Sequence, residues 1–329
     1  MAWMPSTALA PAAVGLPMLA GRAVLMPLDH LAVLQAGGAD ATDFLHGQLS
    51  NDLVGLAPDH SLLAGYCNAK GRLYGALRLW RAGDDCLAWL AADTAEAVLK
   101  RLSMFIMRSK VTLTLRDDLA LLGLAGVGAN DCLIRVGLPA PEDENTLGQH
   151  GPVTVLRLPG PTPRFALCLP QGQAQAIWDA LVIDAAPATG AMWRLLDIDA
   201  GLPTVYAPTL EAFVPQMVNL ERVGGVSFRK GCYPGQEIVA RMHYLGKPSR
   251  RMFRLRAAGS APPPGTPVLD QDEREVGTVV DAQAADGGYR ALAVLQINAI
   301  EAALHLAGAR PVERLTLPYA LEDEAAVHS

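Results

Sequence analysis

The sequence predicts an α+β fold made of more than one cored unit, on three observations. First, 329 residues at 51% hydrophobic content can build two or three separate cores. Second, helical and strand periodicities are mixed without the regular β–α alternation of a doubly wound sheet. Third, beyond residue 247 the chain turns to short apolar segments, the pattern of a small β-rich domain.

Taken in order, residues 1–22 read as a flexible lead-in. They are uncharged through Gly21, so they lack the basic start of a secretory signal, and Pro5, Pro11 and Pro17 interrupt any helix. Asp40 to Leu49 reads as a short helix, with Asp40 and Asp43 suited to the positive end of its dipole, and it offers His46 and Gln48 to a site. Asp93-Thr94-Ala95-Glu96 has the form of a capping box, and Val98, Leu99, Leu102, Phe105 and Ile106 follow at helical spacing. Lys110 to Leu115 alternates apolar with polar residues as a half-buried strand does. Gly123 to Gly128 is glycine-rich without nucleotide-binding spacing and reads as a plain loop. Gly137 to Pro152 reads as a polar, linker-like insert, and Pro262-Pro263-Pro264-Gly265 as a stiff turn. A helix is expected from about Gly235 through Ile238-Val239-Ala240. Apolar segments at 252–255, 276–280 and 291–295 complete a C-terminal β unit. The expected division is 23–120, 121–246 and 247–329, with some exchange between the first two.

Charge and cysteine usage bound the function. A net charge of −6 argues against a general nucleic-acid binder. No apolar run reaches the roughly 20 residues that a bilayer requires, so no membrane partner is expected. Five cysteines without Cys-x-x-Cys spacing fit a reducing compartment, and the cytoplasm is the expected location. Cys86 and Cys168 lie in apolar runs and read as buried, as do Cys67 and Cys132. Residues 229–256 carry eight cations, Arg241 among them, against Glu237 alone, and such a segment could meet an anion.

Cys232 differs from the other four. It lies in Arg229-Lys230-Gly231-Cys232-Tyr233-Pro234-Gly235-Gln236-Glu237, where two glycines and a Pro-Gly dipeptide predict a tight turn that presents the thiol. Lys230 and Arg229 are cationic neighbours of the kind that favour thiolate, the reactive form. Lys230 and Cys232 are therefore the candidate reactive pair. Gln236 and Glu237 would orient the turn, bind a ligand or cap the following helix.

Lys-Gly-Cys-Tyr-x-Gly-Gln-Glu resembles the signature of the YgfZ family of folate-binding proteins, relatives of the glycine-cleavage T-protein. Phe44 to Asp52, Asn68 to Arg72, Ile198 to Pro203, Phe213 to Gln216, Asn219-Leu220 and Gly225 to Phe228 resemble further family segments in the same order. The resemblance implies two interleaved α+β lobes around a central cavity, followed by a C-terminal β-barrel. It also implies tetrahydrofolate or a one-carbon derivative as ligand, with Trp193 at a folate-contact position and Glu211 resembling the carboxylate that holds the pterin. The companion aromatic position appears here as Leu31.

The implied role is a folate-binding accessory factor that supports iron–sulfur enzymes or their assembly proteins, and through them the methylthiolation of tRNA. Cys232 would be its working thiol, and the link to tRNA would be indirect. The aminomethyltransferase alternative is disfavoured, because the stretch Gly71 to Leu77 lacks the carboxylate that T-proteins place near the folate nitrogen. A second alternative is direct tRNA binding through the basic 229–256 segment.

Overall fold

The computed structural model describes residues 2–12, 16–246, 248–285, 287–306 and 310–321. Among these, the strands form three sheets of five, six and seven strands. The chain enters the six-stranded sheet with β1 (Ala23–Pro27) and leaves it at once. It builds the five-stranded sheet from β2 (Leu31–Gly37), β3 (Ser61–Cys67), β4 (Leu73–Ala82), β5 (Asp85–Ala91) and β6 (Thr112–Leu115), in spatial order β3-β4-β5-β2-β6. It then returns to the six-stranded sheet with β7 (Leu119–Ala125), β8 (Leu147–His150), β9 (Val153–Leu158), β10 (Arg164–Pro170) and β11 (Ala185–Pro187), ordered β11-β1-β7-β10-β9-β8. The two α+β lobes are thus interleaved, as expected. β1 is held between β7, antiparallel, and β11, parallel.

Six α-helices join these strands among the described residues: α1 (Ala41–Gln48), α2 (Ala92–Ser103), α3 (Ala129–Arg135), α4 (Gln171–Leu181), α5 (Gly190–Asp199) and α6 (Gln236–Leu245). The remaining strands, β12 (Arg250–Ala258), β13 (Pro267–Leu269), β14 (Glu275–Ala285), β15 (Gly288–Gln296), β16 (His305–Leu306), β17 (Arg310–Pro311) and β18 (Glu313–Leu315), form the antiparallel C-terminal sheet. Two expectations hold closely: α1 starts behind Asp40, and β6 alternates exposed with half-buried residues.

Three local expectations are corrected. The capping box at Asp93 does not form. Thr94 donates instead to the Ala91 carbonyl at 3.1 Å, and the Asp93 carboxylate accepts from the Ala207 backbone. That helix ends at Ser103, which leaves Phe105 42% exposed beyond it. Gly123 to Gly128 is not wholly loop, since Gly123-Leu124-Ala125 is the end of β7, where pairing to β1 and β10 outweighs glycine's weak strand preference. Gly137 to Pro152 contains β8, and Leu138 and Leu147 are buried.

Helix α5 fastens the three sheets together. Trp193 lies flush against Gly123, where an added Cβ would stand 2.4 Å from the ring, so only glycine fits there. Asp197 pairs with Arg164 of β10 at 2.7 Å. Arg194 pairs with Asp281 of β14 at 2.5 Å, and Asp199 takes Arg254 of β12 and Arg290 of β15 at 2.6 Å each. The apolar sides of these contacts merge into cores that include residues from more than one sheet.

Candidate functional site: a presented thiol beside the first lobe

The loop before α6 is stitched to the first lobe by side chains from the segment after α1. Ser50 donates to the Gly225 carbonyl at 2.6 Å and accepts the Gly65 N–H at 2.7 Å, while its own carbonyl accepts Ser227 N–H at 2.9 Å. Asn51 donates to the Leu63 and Gly224 carbonyls, at 2.7 Å each. A helix leaves its last carbonyls without internal partners. Lys230 fills that need: its ammonium donates to the Leu49 carbonyl at 2.7 Å and to the His46 carbonyl at the end of α1.

Lys230 is therefore turned into the first lobe. It is 9% exposed and lies 5.0 Å from the Tyr233 ring centre. Burial pulls its pKa down to about 8, with Asp52 and Cys232 acting in the opposite direction. The ammonium is thus held by carbonyls at the end of α1 while remaining within electrostatic range of the Cys232 sulfur. Cys232, two residues on, faces solvent, whereas Cys67, Cys86, Cys132 and Cys168 are buried. Burial pushes the Cys67 and Cys168 thiols up to about 12.

Gly235 closes the loop. Its φ of +80° and the 2.4 Å between an added Cβ and the Asn68 carbonyl both require glycine. The contact seats the loop on the β3–β4 turn, whose backbone is held by Asn68 accepting from Lys70 and Arg72 N–H. Glu211 meets the same turn through the Asn68 amide at 3.1 Å. Tyr74 and Asn68 hold its carboxyl below the usual range. Gln236 is half-buried at the start of α6, and Glu237 and Arg241 are exposed on it. Gln216 anchors the helix by donating to the Val239 carbonyl at 2.7 Å.

Lys230, Cys232, Gln236 and Glu237 belong to this loop and the start of α6, Glu211 meets the β3–β4 turn on which the loop sits, and Arg241 lies farther along α6, but Trp193 is not with them. It is 1% exposed and lines a cavity of about 40 Å³ between the lobes, together with Leu31, Leu63, Arg78, Trp89 and Asp197. No residue of 229–241 lines that cavity. Leu63 at the cavity and Cys67 at the loop end of β3 are four residues apart, about 13 Å along a strand. The basic 229–256 segment is also divided. Arg251 pairs with Glu221, Arg254 with Asp199 and Arg256 with Glu313, because β12 needs those partners to enter its sheet. Lys247 lies outside the described residues.

A pterin does not fit the cavity as built. Pockets for ligands of that size span roughly 300–1,000 Å³. Trp193 packs on Gly123, and the Arg164 guanidinium lies 5.2 Å from its ring centre, so the indole lacks an open face for stacking. Sequence reasoning also missed the charges at this cavity, Arg78 and Asp197 in its lining and Arg164 beside Trp193. The available signal was a lone arginine inside the apolar run Leu77-Arg78-Leu79-Trp80 and another opening Arg164-Phe165-Ala166-Leu167.

Comparison with known proteins agrees with this architecture. Residues 250–318 match the model of the CAF17 C-terminal beta-barrel domain. The solved aminomethyltransferase T of the Bartonella henselae glycine cleavage system superposes with a TM-score of 0.75 at 19% identity, covering 93% of this chain and 89% of that one, which shows the shared fold. The tRNA-modifying protein YgfZ of Edwardsiella ictaluri (strain 93-146) is 36% identical over 277 residues, 82% of this chain and 84% of that protein. The tRNA-modifying protein YgfZ of Cronobacter sakazakii (strain ATCC BAA-894) is 34% identical over 312 residues, 91% of this chain and 94% of its own length. With identity of this level along most of both chains, a shared fold and a shared C-terminal domain, this chain belongs to the YgfZ family.

Proposed function

We propose that this protein is an accessory factor in tRNA modification and that it acts in the cytoplasm through the Cys232 thiol. The observation that carries the reading is the contrast among the five cysteines: four are buried and Cys232 is exposed on a loop held by Lys230, Ser50, Asn51 and Gly235. That it serves tRNA modification rests on its similarity to relatives named tRNA-modifying protein YgfZ.

The finer reading is that it supports iron–sulfur enzymes or their assembly proteins. Among the described residues no group of His, Cys, Asp and Glu is arranged to hold a metal ion, and a cluster ordinarily takes four cysteines or equivalents. Cys232 would then supply one transient ligand to a cluster carried by a partner. Its thiol releases a proton to solvent, and the sulfur lone pair binds an iron that the partner's own ligands continue to hold. Cys232→Ser is expected to abolish restoration of methylthio-tRNA in cells that lack the wild-type protein, while the variant keeps the wild-type melting temperature. Full restoration by a folded variant would remove the thiol from the mechanism.

A reduced folate belongs to this reading as a ligand of the family's fold, but no step runs through it, because the central cavity does not admit a pterin as it stands. Titration of the protein with tetrahydrofolate, followed by Trp fluorescence, tests this. Saturable binding would show that the cavity opens, and no binding would detach the thiol's role from folate.

A further inference from the structure

We propose that a pocket between the segment leading into the thiol loop, the end of α6 and the first strand of the C-terminal sheet binds the base of a guanine nucleotide, either free or as one residue of a single strand. This pocket shares no residue with the central cavity and does not include Cys232. Its volume is about 370 Å³, within the roughly 300–1,000 Å³ of small-molecule sites. Buried Gln216, Glu221 and Arg251 line it, together with Phe228, Met242 and His243.

Two of these side chains lack donors. Gln216 is 2% exposed, and its amide nitrogen is committed to the Val239 carbonyl at 2.7 Å, which fixes the direction of its oxygen. That oxygen, Oε1, has no donor among the described residues. The Glu221 side chain is 8% exposed, and its Oε1 accepts from Arg251, whereas its Oε2 has no donor among the described residues. Buried acceptors are normally satisfied, because an unpaired one costs the desolvation of its group. One water could donate to both, but it needs only about 10–15 Å³ by the same measure. The pocket is many times larger, so there is room for a molecule that brings both donors and fills the remaining space.

Charge and shape narrow the choice. Glu221 already stands between Arg251 and, at 3.8 Å, Arg222, so its charge is matched and an added ammonium would meet two guanidinium groups. Uncharged N–H donors are therefore the better partners. The Phe228 and His243 rings are stacked with centres 3.7 Å apart and planes 10° from parallel, an aromatic platform of the kind on which bases lie. Among the common bases, guanine carries a ring N–H and an amino group side by side on one edge, which suits two acceptors. Arg229 and Arg241 follow Phe228 and precede Met242 in the chain, are exposed, and make no ion pair among the described residues, so they are placed to meet a phosphate.

Equilibrium dialysis of the full chain at constant ionic strength would compare GMP with IMP, AMP and pteroate, and a short single-stranded RNA holding one guanine with its inosine counterpart. The expected result is saturable binding of GMP or of the guanine RNA that is at least about ten-fold tighter than that of the inosine form, which lacks the amino group, and that weakens as much in Glu221→Gln, the loss of a hydrogen bond to a charged group. Tighter binding of the RNA than of GMP would identify the base as part of a strand, and the reverse would identify a free nucleotide. Should Glu221→Gln fail to fold, His243→Ala, at an exposed position, is expected to weaken binding about five-fold or more, the worth of one stacked base. No binding of either guanine form, equal binding of GMP, IMP and AMP, or binding unchanged in the folded variant would overturn the site. Pteroate binding that is tighter than either guanine form and is lost in the same variant would give the pocket to a different ring and overturn it as well.

Discussion

Single residues here are set by burial more than by their neighbours in sequence. Lys230 sits beside Cys232 in the chain, yet its ammonium serves the carbonyls of His46 and Leu49. Lys230→Met is therefore expected to loosen the loop and raise its hydrogen-exchange rates, with Cys232 still exposed. Unchanged exchange around 228–236 would rule out the anchoring role. His30 gives the clearest pH effect. Burial, with help from Arg194, pulls its pKa from 6.5 to about 3. Between those values the unfolded chain binds a proton that the folded protein excludes, so this group's contribution to stability falls as pH drops from 6.5 toward 3. The urea midpoint of the wild type should lose ground over that window relative to His30→Gln, and parallel curves would count against it. Of the candidate site, the exposure of Cys232 was readable because glycine and proline act locally, whereas the direction of Lys230 was not, since its partners lie more than 180 residues away.

At the scale of elements, the three motif segments are parts of one joint. Phe44 to Asp52 provides the acceptors and clips, Asn68 to Arg72 provides the seat, and Gly224 to Glu237 is what they hold. Their spacing in sequence carries no sign of this, because hydrogen bonds between distant segments leave no periodic trace. Gly235 tests the joint. Gly235→Ala meets both a left-handed φ, which costs a side chain about 1–2 kcal/mol, and a backbone clash at Asn68. We expect a loss of about 2 kcal/mol or more by urea denaturation, together with a faster reaction of the Cys67 thiol with a neutral alkylating reagent as the cover lifts. A neutral Gly235→Ala substitution would mean that the loop is not seated as described. Helices and strands with strong local periodicity, such as α2 and β6, were legible from pattern, while β8 was not, because it depends on pairing with β9.

For the whole molecule, α5 decides how the lobes and the C-terminal sheet meet. Its Arg194–Asp281 pair is largely buried, with Tyr206 donating to the same carboxylate at 3.3 Å. Removing one member of a buried pair leaves the other charge without compensation, typically at a cost of about 3–5 kcal/mol. Asp281→Ala should approach the lower end of that range, because Arg194 keeps some exposure, and it should make the C-terminal sheet the first region to lose exchange protection. If stability were unchanged, or the first lobe opened first, α5 would not be the fastener. No helix of the described residues is long and apolar enough to cross a membrane.

The sequence by itself determined the class of fold, the interleaved arrangement through its family resemblance, and the one cysteine placed in a turn, because composition, periodicity and glycine–proline chemistry act over a few residues. The tertiary structure alone decided that Lys230 is an anchor, that Trp193 and Cys232 occupy separate places, and that Arg78 and Asp197 meet at a small central cavity. Those outcomes depend on which distant groups share a buried volume, where desolvation and the demand for hydrogen-bond partners outweigh any local preference.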